Sequence, residues 1–201
     1  MPLGATEQHG PHLPLDTDTR IAEAVAAGVA GRIAGAAVGP TVAIGASGEH
    51  AGFPGTLSIG TRVLADLLVE IVRTAGPEFG RFVVVNGHGG NADALRAAAA
   101  TCRAEGRLLE VWSIRLPDGD AHAGRTETSL LLHLAPDVVR LDRAEAGATA
   151  PLEELLPTMI EQGVRAVAPN GVLGDPAGAS AEEGAVLLER LVDDAVAQIG
   201  G

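Results

Sequence analysis

Aromatic side chains are nearly missing from this chain of 201 residues, which contains three Phe, one Trp and no Tyr. A binding pocket built from it therefore cannot be a wide aromatic cage. Aliphatic residues are abundant instead, because apolar residues make up 46% of the chain and are mostly Ala, Val and Leu. A chain of this length buries enough surface to fold alone. We expect a single domain over residues 1–201 with an aliphatic core.

Cysteine occurs once, as Cys102, so an internal disulfide is excluded and a reducing compartment is favoured. Cys102 lies in an Ala-rich helical stretch, which indicates a buried core thiol rather than a nucleophile. No apolar run approaches the roughly 20 residues of a membrane-spanning helix. The first ten residues lack the basic and apolar regions of a signal peptide. We therefore expect a soluble protein of the cytoplasm.

Basic residues are outnumbered, with 14 Lys and Arg against 26 Asp and Glu, which gives a formal net charge of −12. Nucleic-acid binding draws most of its strength from basic side chains that neutralise phosphates. An anionic membrane surface also attracts basic segments. The charge therefore argues against both kinds of partner, and acidity that keeps the protein soluble is the simpler interpretation.

Helical periodicity alternates with short β-branched runs. Helices are predicted over residues 19–33, 61–74, 92–104, 126–134 and 181–199. Strands are predicted over residues 41–45, 81–86 and 108–113. Residues 147–175 mix Pro, Gly and short apolar pieces and are interpreted as an excursion rather than a second domain. This order is typical of a three-layer α/β/α domain with a mainly parallel central sheet.

Loops rich in Gly and Pro follow the predicted strands, over residues 45–60, 87–90 and 117–124. In open parallel sheets, ligands bind at the carboxyl ends of the strands. These loops are therefore where functional residues are expected.

The first motif reads G-A-T-E-Q-H-G-P-H-L-P-L-D-T-D-T-R from residue 4. Glu7 and His9 are two residues apart, so they project to the same side of an extended segment, and Asp16 and Asp18 repeat this spacing. One of three residues is expected to cap the helix that follows: Asp16, Thr17 or Asp18. Capping does not account for Glu7, His9 and His12 ahead of it, so metal binding is the favoured interpretation.

The second motif, V-V-V-N-G-H-G-G-N, brings His88 into a glycine-rich turn after a buried strand. The glycines match neither the dinucleotide-binding fingerprint nor the P-loop of nucleoside triphosphatases. Asn91 is expected to cap the next helix. A lone loop histidine is usually incidental, but at the end of a central strand near other His and carboxylates His88 is a candidate ligand.

The third motif, D-A-H-A-G-R-T-E-T-S, again follows a strand and contains His122 and Glu127. A favourable interaction with the helix N-terminus is the alternative for Glu127, and a solvated loop position is the alternative for His122. Together they are interpreted as a catalytic acid/base, His122, and a last metal ligand or base, Glu127.

The long loop at residues 45–60 contains Glu49, His50 and Phe53, which we expect to contact substrate because Gly-rich loops at this edge often form substrate-binding walls. His133 lies in an apolar helix and is interpreted as a core or surface histidine. Serine-nucleophile and zinc-helix motifs, G-x-S-x-G and H-E-x-x-H, are not found in the sequence.

These motifs, in this order, resemble the creatininase family of amidohydrolases. The matching residues are G-A-T-E-Q-H-G-P-H-L-P-L-D-T-D, F-P-G-T, N-G-H-G-G-N and D-A-H-A-G-R-T-E-T-S. Within the family, the loop G-A-S-G-E-H-A-G-F-P-G-T-L-S is most similar to members of the mycofactocin system. Those members are peptidases that trim a modified precursor peptide and release its C-terminal dipeptide.

The resemblance implies a parallel α/β fold, two divalent metals (Zn, Fe or Mn) and a homo-oligomer, often a hexamer. By position, Glu7 and His88 would hold one metal, His9 the other, and Asp18 would bridge both. Creatininase has a carboxylate two residues after its loop histidine, where this chain has Gly90. Glu127 is the predicted replacement ligand.

Family members also carry a helix and a first strand before the first motif. The resemblance therefore implies either a truncated chain or a numbered sequence that begins late. If these elements are truly absent, a central sheet position is expected to be empty. In the metal-dependent hydrolysis that the resemblance implies, His122 would act as the general acid that protonates the departing amine.

Two other functions are considered. The first is hydrolysis of a small cyclic amide or formamide, although the scarcity of aromatic residues argues against creatinine, whose planar ring favours stacking side chains. The second is a metal-binding scaffold without catalytic activity, since one fold can serve many functions.

Overall fold

The structure, a computed structural model, describes residues 1–75, 79–116 and 118–200. Its sheet contains β1 (Pro2–Leu3), β2 (Val83–Asn86) and β3 (Glu110–Ser113), in that order and all parallel. The two residues of β1 pair with the last two residues of β2. β1 therefore lies at one edge of this sheet, and β2 lies at its centre.

The helices are α1 (Thr17–Ala30), α2 (Thr61–Thr74), α3 (Ala92–Ala104), α4 (Arg125–Leu134), α5 (Leu152–Gln162), α6 (Val164–Val167) and α7 (Ala181–Ile199). The predicted bounds of α2, α3 and α7 are confirmed at both ends. Helix α1 begins and ends earlier than predicted, and α4 begins one residue earlier.

The predicted strand at residues 41–45 was wrong. These residues form only an isolated bridge, between Val42 and Leu3, because the neighbouring β1 is too short to pair with a longer strand. Residues 147–175, interpreted as an excursion, contain two helices that were not predicted, α5 and α6. Pro157 lies inside α5, and a proline there removes a helical hydrogen bond, so the sequence did not look helical.

Helices cover both faces of the sheet, which confirms the three-layer α/β/α prediction. Val85 and Trp112 pack on one face in a cluster that includes residues of α1, α4 and α7. Leu3 and Val84 pack on the other face in a cluster that includes residues of α2 and α3. Cys102 is buried in that second cluster, as predicted. The Trp112 indole N–H donates to Asp194 Oδ2 at 2.8 Å, so its one polar group is satisfied.

Parallel pairing places the carboxyl ends of all three strands at one edge, where the predicted functional loops meet. Pro117, the first residue of the predicted loop 117–124, lies outside the described residues. A small apolar cluster beside this edge joins α6 to Leu173, with Phe53 and Met159 packed against it. Among the described residues, no helix is both long and apolar enough to cross a membrane.

Candidate metal centre

The structure brings the four predicted ligands Glu7, His9, Asp18 and His88 together at this edge. His9 Nε2 lies 3.1 Å from Asp18 Oδ1. His88 Nε2 lies 3.2 Å from Glu7 Oε2, and His88 Nδ1 lies 3.4 Å from Asp18 Oδ2. All four residues are at least 94% buried. Three sequence segments, separated by up to 81 positions, thus converge on one point.

The segment after β1 fixes the tautomer of His9. Its Nδ1 lies 3.1 Å from the carbonyl oxygen of Glu7, which can only accept, so Nδ1 carries the proton. In the neutral ring, Nε2 therefore carries the lone pair, which points toward Asp18 and could bind a metal. A ligating histidine that donates its other ring N–H to a carbonyl is the usual arrangement at metal sites.

Asp18 lies in the first turn of α1, but the predicted capping by an Asp or Thr side chain was wrong. Asp16 occupies the N-cap position without a side-chain bond to the helix, and its Oδ1 instead accepts from Arg20 Nε at 2.9 Å. The Thr17 hydroxyl donates to the Pro14 carbonyl at 2.8 Å. Asp18 is therefore free of a capping role and points into the cluster.

Asn91 occupies the predicted N-cap position of α3, but its side chain makes no bond to the helix. Its Oδ1 accepts from Ala46 N at 2.8 Å, and its Nδ2 donates to Gly4 O at 3.1 Å and to Asn86 Oδ1 at 3.0 Å. The buried Asn91 side chain thus ties the loops after β1 and β2 to the loop at residues 45–60. This explains how His88 is held in place.

Several buried carboxylate oxygens of the cluster lack hydrogen bonds, which indicates that the cluster fits a cation. Glu7 Oε1, Glu7 Oε2 and Asp18 Oδ2 are buried and have no hydrogen-bond partner among the described residues. Leaving ionised oxygens unsatisfied in the interior is costly. A divalent ion bound between these oxygens and the imidazoles would remove that cost, and mixed imidazole and carboxylate ligands suit Zn, Fe or Mn.

The electrostatics of the cluster are those of closely placed opposite charges. Burial by itself raises the pKa of Glu7, but His88, followed by His50 and His9, holds it below its ordinary value. Burial opposes protonation of His9, yet Asp18 and Glu127 raise its pKa to about 10. Burial raises the pKa of Asp18, and the nearby Glu7 adds to this. Protons on His9 and Asp18 therefore balance the negative charge of the carboxylates, which a bound metal ion would otherwise balance.

His122 also reaches the cluster, from the loop before α4. Its backbone N–H and C=O pair with Leu173 at 3.2 and 2.8 Å. Its Nε2 lies 2.8 Å from the carbonyl of Gln8, which makes Nε2 the protonated nitrogen. Nδ1 then faces Glu7 Oε1 at 3.8 Å with a free lone pair. Burial, followed by the charge of His9, lowers the pKa of His122.

Gln8 is a positioning residue that the sequence did not reveal. Its Nε2 donates to His50 Nδ1 at 2.8 Å and to Gly171 O at 3.0 Å, while its Oε1 accepts from Gly10 N at 2.9 Å. These contacts span 163 positions, so only its place between Glu7 and His9 could have marked it. A Cβ at Gly171, whose φ is +83°, would overlap the Gln8 side chain.

Glu127 lies in the first turn of α4, as predicted. The N-terminus of this helix is capped by Asp120, which accepts from Arg125 N and from Thr126 N. Glu127 Oε2 instead accepts from Ala123 N at 2.6 Å and lies 3.8 Å from His9 Nε2. Ala123 has a φ of 53°, a conformation that costs a residue other than glycine about 1–3 kcal/mol. The loop is thus held in a strained shape that aims Glu127 at His9.

The loop at residues 45–60 contributes two of its three predicted residues to the cluster. His50 Nε2 lies 3.3 Å from Glu7 Oε1, and burial lowers the pKa of His50 to about 3. Glu49 Oε1 lies 3.3 Å from His88 Nε2. Phe53 lies elsewhere, half-buried against the small apolar cluster and under the guanidinium of Arg165.

Two remaining histidines lie outside the cluster of ligand atoms. His12 is buried, and its Nε2 is hydrogen-bonded to the Thr128 hydroxyl at 2.9 Å. This contact links the first motif to α4. His133 is exposed on α4, in agreement with its interpretation as a surface histidine.

The cluster forms the floor of an open cleft of about 600 Å³. One wall is apolar and comes from α5, through Leu152, Leu156, Met159 and Ile160. Imidazoles and carboxylates grouped within metal-binding range at the floor of a substrate-sized cleft are typical of metal-dependent hydrolases. The fold and the site together therefore define this class of enzyme.

Comparison with known proteins agrees with this class. Residues 1–199 match the family model described as creatininase, creatinine amidohydrolase. The chain belongs to the creatininase family, and it is an amidohydrolase.

Two curated relatives share the sequence over nearly all of its length. It is 54% identical to the mycofactocin precursor peptide peptidase of Mycobacterium ulcerans, with 99% of this chain and 83% of the relative covered. It is 55% identical to the protein of the same name from Mycolicibacterium smegmatis, with 96% and 80% covered.

Solved structures share the fold. A manganese form of creatininase has a TM-score of 0.76 and 31% identity, with 98% of this chain and 88% of that one covered. A creatininase variant of the Zn-Zn type has a TM-score of 0.77 and 30% identity over the same shares. These two structures are named for Mn and Zn, metals that the donor set of this chain also suits.

Proposed function

We propose that this chain is a dinuclear metal-dependent peptidase that cleaves the mycofactocin precursor peptide and releases its C-terminal dipeptide. The observation that carries the chemistry is the buried group of Glu7, His9, Asp18 and His88, with both Glu7 oxygens lacking hydrogen bonds. The names of the relatives that are 54% and 55% identical support the substrate.

Two divalent ions, Zn, Fe or Mn, fit the donors as two overlapping sets. Glu7 and His88 would hold one ion, and His9 and Glu127 the other. Asp18 would bridge them, because one of its oxygens faces His9 and the other faces His88. Such ions supply Lewis acidity and a water acidified to a pKa of about 7.

His122 is proposed as the acid that protonates the leaving amine. Its Nε2–H is held by the Gln8 carbonyl, so Nδ1 is the nitrogen that can take up and return a proton inside the cluster. Its lowered pKa keeps this nitrogen unprotonated until the reaction supplies a proton. Glu127 accepts a hydrogen bond from Ala123 N, which holds its carboxylate in place. We propose it as a metal ligand and as a second acid/base that takes part in this proton transfer.

The volume and lining of the cleft favour a peptide substrate over a small cyclic amide. Its volume of about 600 Å³ lies within the range for drug-sized ligands, and the α5 wall can bury apolar side chains of a peptide. Among the described residues that line it, there is no Phe or Trp on which a planar ring could stack. His50 and Phe53 remain predicted substrate contacts; Phe53 could act only through the wall formed with Met159.

Mass spectrometry of the precursor peptide after incubation with the metal-loaded protein tests this function. We expect a product shortened by two residues at the C-terminus. An intact peptide together with turnover of creatinine or a formamide would show that the small-amide alternative is correct. Binding of metal without hydrolysis of any amide would favour the scaffold alternative.

We also propose a cytoplasmic homo-oligomer, a hexamer or another closed ring. The single Cys102 supports a reducing compartment. Exposed apolar side chains on α2, at Val63 and Leu67, and on α5, at Ile160, support association of copies. Light scattering during size-exclusion chromatography measures the assembly, and a monomer at micromolar concentration would contradict it.

A further inference from the structure

Glu49 reaches the cluster from the loop at residues 45–60, whereas Glu7 reaches it from the segment after β1. Glu49 lies in the short turn Gly48–His50, four residues before Phe53. Its side chain is 28% exposed, yet its carboxylate turns inward and Oε1 lies 3.3 Å from His88 Nε2. Glu7 Oε2 lies 3.2 Å from the same nitrogen.

The spacing of these three donors matches one coordination sphere. One ligand atom from each of Glu7, Glu49 and His88 lies within 4.8 Å of the others. Ligand bonds of about 2.1 Å place two donors of a tetrahedral ion about 3.4 Å apart. The measured distances of 3.2 and 3.3 Å from His88 Nε2 agree with this separation.

Gly90 provides the space that the Glu49 carboxylate occupies. A Cβ at position 90 would overlap Glu49 Oε1 and the His88 ring, and would lie 2.6 Å from the Ala46 carbonyl oxygen. The absence of a side chain at position 90 and the inward turn of Glu49 are therefore one structural feature.

Repulsion between the two carboxylates makes this position unfavourable unless a cation lies between them, either a protonated His88 or a bound metal ion. The Glu49 carboxylate approaches the ionised and fully buried Glu7, neither of whose oxygens accepts a hydrogen bond. Among the described residues, the ion pair found for Glu49 is with His88 rather than with an Arg. A partly exposed glutamate could turn to solvent instead, so an ion that attracts both carboxylates accounts for its position.

We propose that Glu49 is a metal ligand, a further protein donor to the ion that Glu7 and His88 would hold together with Asp18. This inference rests on the proposed metal-dependent function. It replaces the predicted role of Glu49 as a substrate contact, and Glu127 remains the proposed additional donor to the ion at His9.

Zinc titration of the metal-free protein by calorimetry, with no substrate present, tests the proposal. We expect Glu49→Gln to weaken Zn²⁺ binding to one of two sites by about 100-fold or more, since loss of an outer-shell partner alone costs 10–100-fold. Asp93→Asn is the matched control, because Asp93 is an exposed carboxylate at the mouth of the same cleft and pairs with Arg96. The control should bind zinc within about twofold of wild type.

Unchanged zinc affinity in Glu49→Gln, with a raised KM for the peptide, would overturn the proposal and restore the substrate role. Equal weakening in Asp93→Asn would also overturn it, because the effect would then be the general field of the cleft. If Glu49→Gln does not fold, Glu49→Ala gives a second measurement: removal of the carboxylate should weaken zinc binding at one site by a similar factor, and wild-type affinity would contradict the proposal. Wild-type protein that binds zinc but leaves the peptide intact would refute the proposed substrate and leave this inference standing.

Discussion

The floor and the α5 wall of the cleft differ in almost every physical property. The floor side chains are buried and held by long-range contacts, as with Asp18 and His88. On the wall, Leu156 is 41% exposed and Ile160 is 83% exposed. A rigid polar floor can fix reacting groups, whereas an exposed apolar wall can adapt to a substrate. We therefore expect the floor to control metal binding and kcat, and the wall to control KM.

The largest effect should come from the bridging position on the floor. Asp18→Ala removes the carboxylate that faces both His9 and His88, so both metals should be lost and kcat/KM should fall by about 10⁴-fold or more. Metal analysis and peptide kinetics measure this. Asp16→Ala is the control, because Asp16 is partly exposed and pairs with Arg20 on the surface. It should keep both metals and change the free energy of unfolding by only about 0.5 kcal/mol. Retention of both metals by Asp18→Ala would contradict the assignment.

A smaller effect is expected where the floor transfers protons. His122→Gln should lower kcat by about 10²–10⁴-fold while the metal content stays unchanged, because a general acid is lost and no ligand is removed. Kinetics and metal analysis of the same sample separate the two roles. His133→Gln, an exposed substitution on α4, should match wild type. Loss of a metal from His122→Gln would make His122 a ligand instead.

The wall should show the smallest effect. Ile160→Ser should raise KM for the peptide by up to about tenfold at constant kcat, because burying part of an Ile side chain against substrate contributes about 1 kcal/mol. Val186→Ser on α7, which changes another exposed apolar residue, 61% exposed, is the comparison variant. A lower kcat or a lower metal content in Ile160→Ser would contradict the division of roles, in which the floor controls metal binding and kcat and the wall controls KM.

The same contrast explains how much could be predicted from the sequence. The bounds of α2, α3 and α7 follow from strong helical periodicity, and Glu7, His9, Asp18 and His88 follow from compact motifs beside predicted strands. β1 was missed because two residues show no periodicity, and α5 was missed because Pro157 interrupts its pattern.

The contacts that were not predicted are long-range ones. Gln8 meets Gly171 across 163 positions, and Glu49 depends on the missing side chain at Gly90. The cap predictions for Asn91 and Asp16 failed for a similar reason, since tertiary partners compete with the local helix for the same side chains. Local patterns therefore located the donors but not the network that holds them.

Metal content and activity of one sample, purified without air, test the central claim most directly. We predict about two divalent ions per chain by elemental analysis, loss of peptide hydrolysis when a chelator removes them, and its return when Zn²⁺, Fe²⁺ or Mn²⁺ is added. Full hydrolysis by protein from which all metal has been removed would contradict the account.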